Sequence, residues 1–326
     1  MSARLTVHSG GLSTTVQDLG RPGRYEIGMP PSGAMDQFSL RVANALVGNL
    51  ENAACLEATY VGPTLEFGDK RIVALTGGDA GATVNDTPVP TWEAFAVGPG
   101  DVLSFGMIES GTRPYIAISG GIDVPEYLGS RSTYTLIGLG GFEGRKLNDG
   151  DSLPLGNEGK PTRPGTRIDE ALIPTYTSKV EVRTVVGLCS YRLTTQALDT
   201  FLGTPWRITK DADRVGYRLR GGVLDFVERQ QPFGAGSDAS NVVDLGYPLG
   251  SIQVPGGDEP IVLLGDAVTG GGYATIGTVI SVDRDLFGQA KTGDTVSFRS
   301  VDIDEAMAAR SQRRRELDQI REQLHS

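Results

Sequence analysis

Eight polar side chains that could do chemistry fall into two short runs of the C-terminal half. Asp213, Arg214, Tyr217 and Arg218 make one run; Gln253, Asp266, Thr269 and Tyr273 make the other. Forked guanidinium groups bind a carboxylate through two parallel hydrogen bonds, and a glutamine amide can orient a second amide. An acid in a glycine-lined loop suits general-base work. Asp266, Thr269 and Tyr273, on the glycine-dense string Gly265-Asp-Ala-Val-Thr-Gly-Gly-Gly-Tyr273, are therefore the candidate catalytic groups, with Asp266 as the base. Asp213, Arg214, Tyr217, Arg218 and Gln253 are the candidate substrate-binding groups. Asp18 and Arg21, near the N-terminus, add a second acid and cation among turn formers. They either face a ligand or pair with each other. The turn Gly129-Ser-Arg-Ser-Thr-Tyr134 carries hydroxyls and a cation that could hold a carboxylate or carbonyl oxygen.

Other chemistries are short of residues. The only histidines, His8 and His325, stand near opposite ends of the chain, which argues against a Ser-His-Asp hydrolase and against a His/Cys zinc site. Cys55 and Cys189 lie far apart and read as reduced, buried thiols of a cytoplasmic protein. A phosphate-binding Gly-x-x-x-x-Gly-Lys-Ser/Thr string does not occur, and the glycine-rich stretches join strand to strand rather than strand to long helix. Forty acidic residues against 30 Lys and Arg give a net charge of −10, the wrong sign for nucleic acid or an anionic membrane. No apolar run approaches the length of a membrane span. The opening Met1-Ser-Ala-Arg-Leu-Thr-Val lacks the apolar core of a signal peptide.

Short strands must position these groups. The chain has 45 glycines and 18 prolines scattered without period, which favours many turns between strands. Over 58–155 the runs 64–67, 71–76, 82–84, 101–105 and 115–119 read as strands divided by Gly, Pro and Asp. Met35, Phe38, Val42, Ala45 and Leu46 fall at helical spacing. Ser32 or Asp36 can cap that helix, and Gly48-Asn49 stops it. Residues 157–174 lack hydrophobic periodicity and read as a linker. Beyond it lie a strand over 180–186, a short helix over 194–202 and further strands. Residues 303–324 read as an amphipathic helix with Ile303, Met307, Leu317, Ile320 and Leu324 on one stripe. The expected domains are thus 1–160, 175–301 and a C-terminal helix over 302–326. Pro99-Gly-Asp-Val-Leu-Ser-Phe105 and Thr292-Gly-Asp-Thr-Val-Ser-Phe298 echo each other, as two related modules would.

Seven strings resemble one family. They are Thr14-Thr-Val-Gln-Asp-Leu-Gly-Arg-Pro-Gly23, Pro31-Ser-Gly-Ala-Met-Asp-Gln-Phe-Ser39, Ala43-Asn-Ala-Leu-Val-Gly-Asn49 and Gly120-Gly-Ile-Asp-Val-Pro125, followed by Leu128-Gly-Ser-Arg-Ser-Thr-Tyr134, Asp213-Arg-Val-Gly-Tyr-Arg-Leu219 and Gly250-Ser-Ile-Gln-Val-Pro255. Together they are similar to the biotin-dependent carboxyltransferase family. That family includes allophanate hydrolase subunit 2, Kip-type antagonists, the C subunit of 5-oxoprolinase and the carboxyltransferase part of urea carboxylase. The resemblance runs from about 5 to 301. It implies a mainly β fold of two cyclophilin-like β-barrel modules with a few short helices and a C-terminal helix. It further implies an allophanate hydrolase subunit 1-like partner and a small amide or urea as substrate. No motif here binds a cofactor directly. Biotin or ATP, where used, belongs on partner chains such as a biotin carrier or an oxoprolinase A-type subunit.

The chain departs from the family pattern in one loop. The usual Asp-Arg-Gln-Thr-Thr-Gly-Gly-Tyr-Pro-Lys is here Asp266-Ala-Val-Thr-Gly-Gly-Gly-Tyr-Ala-Thr275, and the usual Gly-Pro-Gln is Gly187-Leu-Cys189. Two cations and an amide are lost, and with them donors that would polarise a carbonyl. The alternative expectation is accordingly a regulatory binding protein that antagonises a kinase inhibitor without catalysis.

Overall fold

The computed structural model describes residues 4–325. Met1–Ala3 and Ser326, which the expected domain ranges include, lie outside them. The chain is mainly β with few helices, and it divides into two compact units. The first holds the residues up to Arg21, Ser32–Tyr176 and those from Arg314 onward; the second holds Pro22–Pro31 and Thr177–Arg313.

In the first unit the strands form two sheets. One runs Ser152–Pro154, Arg4–Ser9, Thr64–Phe67, Val102–Ser104, Thr83–Val84, Thr87–Pro88; the other runs Ser13–Gln17, Cys55–Thr59, Ser110–Ile118, Arg71–Asp79, Ala94–Val97. Every pairing is antiparallel. Leu5, Val7, Leu56, Leu65, Phe67, Val73, Leu103, Ile116 and Leu153 form one core cluster. The helix Gln37–Leu46 belongs to a second, with Phe38, Leu40, Val42 and Leu46 buried alongside Ala74, Tyr115 and Ala117. Each such aliphatic or aromatic side chain contributes roughly 1.5–3 kcal/mol on burial. Asp36 caps that helix, accepting from the Ser39 amide at 2.9 Å. Gly48, at φ +72°, takes the left-handed stop that a side chain would strain.

The second unit is built on a closed barrel of seven strands: Lys179–Val186, Thr275–Val279, Ser251–Gln253, Ile261–Leu263, Gly216–Arg220, Trp206–Ala212 and Thr295–Ser300. Strands alternating in direction around a ring cannot close with an odd number, so one neighbouring pair must be parallel. It is Lys179–Val186 with Thr295–Ser300. Trp206, Ile208, Tyr217, Leu219, Ile252, Val262, Val296 and Phe298 are all buried. They fill a barrel of this size with side chains. Phe201, from the Thr194-capped helix Thr195–Gly203, stacks on Phe298 with ring centres 4.5 Å apart.

The C-terminal helix Ile303–His325 is present, but its apolar stripe holds only in part. Leu317, Ile320 and Leu324 join the first unit's core. Ile303 and Met307 are exposed, and the preceding turns of the helix pack through Ala306 and Ala309 instead. None of the helices among the described residues is long and apolar enough to cross a membrane.

Candidate functional site

The two polar runs do meet in the second unit. The turn at 213–216 lies against the turn at 264–267 through backbone bonds from Leu264 N to Val215 O (2.9 Å) and from Asp266 N to Arg214 O (3.0 Å). Arg214 clasps Asp266 with Nε on Oδ2 at 2.8 Å and Nη2 on Oδ1 at 3.2 Å. Asp266 is 2% exposed. A buried carboxylate needs such a partner, and here the guanidinium meets both of its oxygens. The pair thus fixes where the glycine ribbon begins.

The other charged candidates are spent on structure as well. Asp213 closes its own turn, accepting from Val215 N at 2.8 Å and Gly216 N at 3.2 Å. Tyr217 lies in the barrel core, its ring 5.1 Å from that of Phe287 in the short helix Asp283–Gly288. Arg218 donates to Glu259 at 3.1 Å, and Arg220 holds the same carboxylate. The Arg220 bond, with Arg218 adding to it, draws the Glu259 pKa below the ordinary range.

What remains largely uncommitted is a row of neutral donors and acceptors. Gln253 is buried, and its side-chain amide is directed at the Tyr247 hydroxyl. A glutamine amide has two N–H donors and an oxygen with two lone pairs, so that single engagement leaves most of its capacity spare. The hydroxyls of Thr269 and Tyr273 make no side-chain bond within the described residues, and Tyr273 is 43% exposed. Strand pairing sets Gln253 opposite Thr275 and Asn241 opposite Tyr273. The glycine loop expected from sequence is in fact a strand, Gly270–Tyr273, paired with Asn241–Gly246.

Tyr247, which sequence reasoning missed, locks this ribbon. Its hydroxyl accepts from Tyr273 N at 2.7 Å and donates to Tyr273 O at 2.9 Å. A Cβ on Gly271 would stand 3.0 Å from the Tyr247 ring, so that glycine makes room for the phenol and not for a ligand. Burial pushes the Tyr247 pKa up, although the Tyr273 backbone and the Gln253 amide draw it partly back. Arg192 was missed too. It is 2% exposed and donates through Nη2 to Gln231 Oε1 at 2.9 Å and Ala239 O at 3.2 Å, while its Nε has no partner among the described residues. No sequence motif marks either residue; each is held by hydrogen-bond partners distant in sequence.

The departures from the expected loop have structural counterparts. Ala267 packs with Tyr247 and Leu263, Val268 faces out, and Thr275 is fully buried with a hydroxyl that has no partner among the described residues.

In the first unit Asp18 and Arg21 serve the turn at 129–134. Asp18 accepts from Gly20 N at 2.7 Å, Ser130 Oγ at 2.6 Å, Arg131 N at 2.6 Å and the Ser132 hydroxyl. Arg21 donates to the carbonyls of Tyr127 and Ser132. The hydroxyl-rich turn does hold a carboxylate, and it is the chain's own. The first unit also bears an open cleft of about 660 Å³ lined by Lys70, Arg71, Ser119, Glu158 and Lys160 among others. None of the sequence-predicted residues lines it. Arg71 spends its donors on Asp69, Ser119 O and Gly156 O. Among the described residues no cluster of His, Cys, Asp and Glu has the makings of a metal site.

Comparison with known proteins brings these elements under one heading. Residues 27–300 match the family model described as "Carboxyltransferase domain, subdomain A and B". The chain is 34% identical over 322 residues to the C subunit of 5-oxoprolinase from Escherichia coli K12, covering 99% of each. It is 36% identical over 296 residues to the urea amidolyase of Saccharomyces cerevisiae, covering 88% of this chain but 16% of that protein. The crystal structure of the Kluyveromyces lactis urea amidolyase superposes with a TM-score of 0.93 at 33% identity, over 98% of this chain and 20% of that one.

Proposed function

Because the chain belongs to the family of the carboxyltransferase domain, subdomains A and B, we propose that it works as one subunit of an enzyme that processes a small amide. The observation that carries this reading is end-to-end coverage, 99% of both chains, with a protein named as a subunit of 5-oxoprolinase. In the urea amidolyases the matching stretch is a small share of a much longer chain. The reading therefore places the remaining functions on separate chains here. One is an allophanate hydrolase subunit 1-like partner; ATP or biotin, where used, is bound by others such as an oxoprolinase A-type subunit or a biotin carrier.

In this reading the neutral row does the contacting. Gln253 pairs with the substrate amide through one donor and one acceptor, and the Thr269 and Tyr273 hydroxyls supply further bonds. Such groups orient an uncharged lactam or urea without drawing a charge out of water. Asp266 enters as the anchor of the ribbon, held by Arg214. For Asp266 to act as a base, that pair has to open when substrate arrives.

A second reading is favoured by Ala267, Val268 and Thr275, which leave the ribbon without cations. In it the chain is a regulatory binder that antagonises a kinase inhibitor. One experiment separates the two. The chain is purified with its subunit 1-like and A-type partners and assayed with ATP on 5-oxoproline, urea and allophanate. Turnover that disappears when this chain is omitted supports the enzyme role. Tight partner binding without turnover of any of the three supports the binder.

A further inference from the structure

An edge of one sheet of the first unit stands open inside the cleft of about 660 Å³. The strand Ala94–Val97 is last in its sheet, paired with Arg71–Asp79 alone. Antiparallel ladders alternate bonded and non-bonded pairs. Ile72, opposite Ala96, turns away from it: its carbonyl accepts from the Ser119 amide at 2.8 Å, and its amide donates to the Ser119 hydroxyl at 3.1 Å. Ala94 turns both of its peptide groups out of the sheet, to Thr166 O at 2.8 Å and Gly165 N at 2.7 Å. Ala96, two residues on, therefore faces outward as well, and nothing among the described residues meets its N–H or its carbonyl. The segment that covers Ala94 turns off at this point. Gly165 takes φ +87°, Thr166 N closes on Arg163 O at 3.2 Å, and Pro164 has no N–H to give.

The stretch 158–162 lines the same cleft and is fastened in place. Just before it Gly156 N donates to Gly121 O at 3.0 Å; within it Lys160 N donates to Gly48 O at 3.1 Å, and Glu158 accepts from the Ser119 hydroxyl at 2.6 Å. A Cβ on Gly159 would stand 2.7 Å from Gly48 O, so this close approach needs glycine. Val47, Ile72, Val97 and Pro161 give the cleft apolar surface. Its acids have partners. Glu158 holds Ser119, and Asp101 accepts from Gly98 N and Asn85 Nδ2, both at 2.7 Å. Arg71 is likewise engaged, with Asp69 and two carbonyls. Lys70 and Lys160 are exposed and make no side-chain hydrogen bond or ion pair among the described residues. The charged groups without a partner in the cleft are thus both cations.

We propose that this cleft takes a short extended peptide with acidic side chains, contributed by another chain, which adds to the sheet edge at Ala96. One residue of that peptide, running antiparallel, donates its N–H to Ala96 O and accepts the Ala96 N–H on its own carbonyl. Successive side chains of a strand point to opposite faces, so an alternating peptide sets its apolar residues on the apolar lining and its carboxylates toward Lys70 and Lys160. Lysines beside a sheet edge also serve merely to keep other strands away, and the test separates that role from binding. The proposal uses none of the Gln253 row and stands whether or not that row contacts substrate.

The test titrates the isotope-labelled full chain by NMR with the capped peptide Val-Glu-Val-Glu, its counterpart Val-Lys-Val-Lys, an N-methylated form of the acidic peptide, and free glutamate. The acidic peptide should shift the Ala96 and Gly98 amide signals and bind at least about fivefold more tightly than the lysine peptide. N-methylation, which removes the main-chain donors, should weaken it about fivefold. Ala96→Pro removes the outward N–H at an edge where proline is tolerated, and should weaken the acidic peptide by a similar factor with melting unchanged. No shift at Ala96 overturns the proposal and leaves the lysines as guards of the edge. Equal binding of the lysine or the N-methylated peptide overturns it too, as does an unchanged affinity in a folded Ala96→Pro protein; the peptide comparisons decide the matter if that variant does not fold. Free glutamate binding as tightly as the acidic peptide would assign the cleft to a small carboxylate, against the proposal.

Discussion

Arg214 and Asp266, 52 positions apart, meet edge to edge, with two nitrogens on two oxygens at 2.8 and 3.2 Å. The contact ties the turn before one barrel strand to the start of the glycine ribbon, and both side chains are largely buried. Removing one partner of such a pair leaves an uncompensated group, which costs about 3–5 kcal/mol. Asp266→Asn keeps the shape and loses the charge, so it should destabilise the second unit by about 3 kcal/mol in a urea melt. Joint replacement, Arg214→Met with Asp266→Leu, should recover much of that loss. An unchanged melt for Asp266→Asn would show that the clasp is not holding the turn.

Tyr247→Phe removes the hydroxyl that both accepts from and donates to Tyr273. The cost should be about 1–3 kcal/mol because the Tyr273 backbone is left without those bonds. Hydrogen exchange of the Tyr273 amide should accelerate while barrel amides such as that of Val262 stay protected. Gly271→Ala should disturb the same ribbon from the other side, since the added carbon meets the Tyr247 ring.

Acid should weaken the first unit partly through Asp151. Its bond to Arg145, helped by the Asn148 amide, holds its pKa below the usual 3.8. A carboxyl with a depressed folded pKa contributes stability above its unfolded value, and that contribution is lost as pH falls through the folded one. The stability difference between wild type and Asp151→Asn should therefore be level near neutrality and shrink below about pH 4. A difference that stays constant down to acid denaturation would contradict this.

Cys55 should be silent to thiol reagents in the native protein. It is 1% exposed, and burial pushes its thiol far above the ordinary range despite the bond to Asn44. Ellman's reagent at pH 8 should leave Cys55 unmodified until denaturant is added. Rapid native labelling at this position would contradict its burial.

Much of the architecture is legible in the residues because it rests on local patterns. Asp36, three residues before Ser39, announces the cap that the helix Gln37–Leu46 uses, and Thr194 does the same for Thr195–Gly203. The alternation in 64–67 and 180–186 is borne out by strands Thr64–Phe67 and Lys179–Val186. Failures come where tertiary contacts overrule local pattern. Ile303 and Met307 carry helical spacing, yet the helix finds its partner surface through Ala306 and Ala309. Gly270-Gly-Gly272 has the composition of a loop, but lies extended because strand Asn241–Gly246 and the Tyr247 ring press against it. At the site, residue type identifies the participants and leaves their commitments hidden. Asp266 and Gln253 are equally plausible in the sequence, and only pairing across 52 residues shows that the acid is spent while the amide keeps most of its capacity.

The central claim is that the spare donor and acceptor of Gln253, beside Thr269 and Tyr273, contact the substrate of an assembled enzyme. The most direct measurement is kcat/KM of the reconstituted complex on whichever small amide it turns over, with Gln253→Ala in place of the wild-type chain. Loss of about tenfold in kcat/KM, with assembly and melting unchanged, is the expected result. An unaltered kcat/KM in an intact complex would contradict the claim.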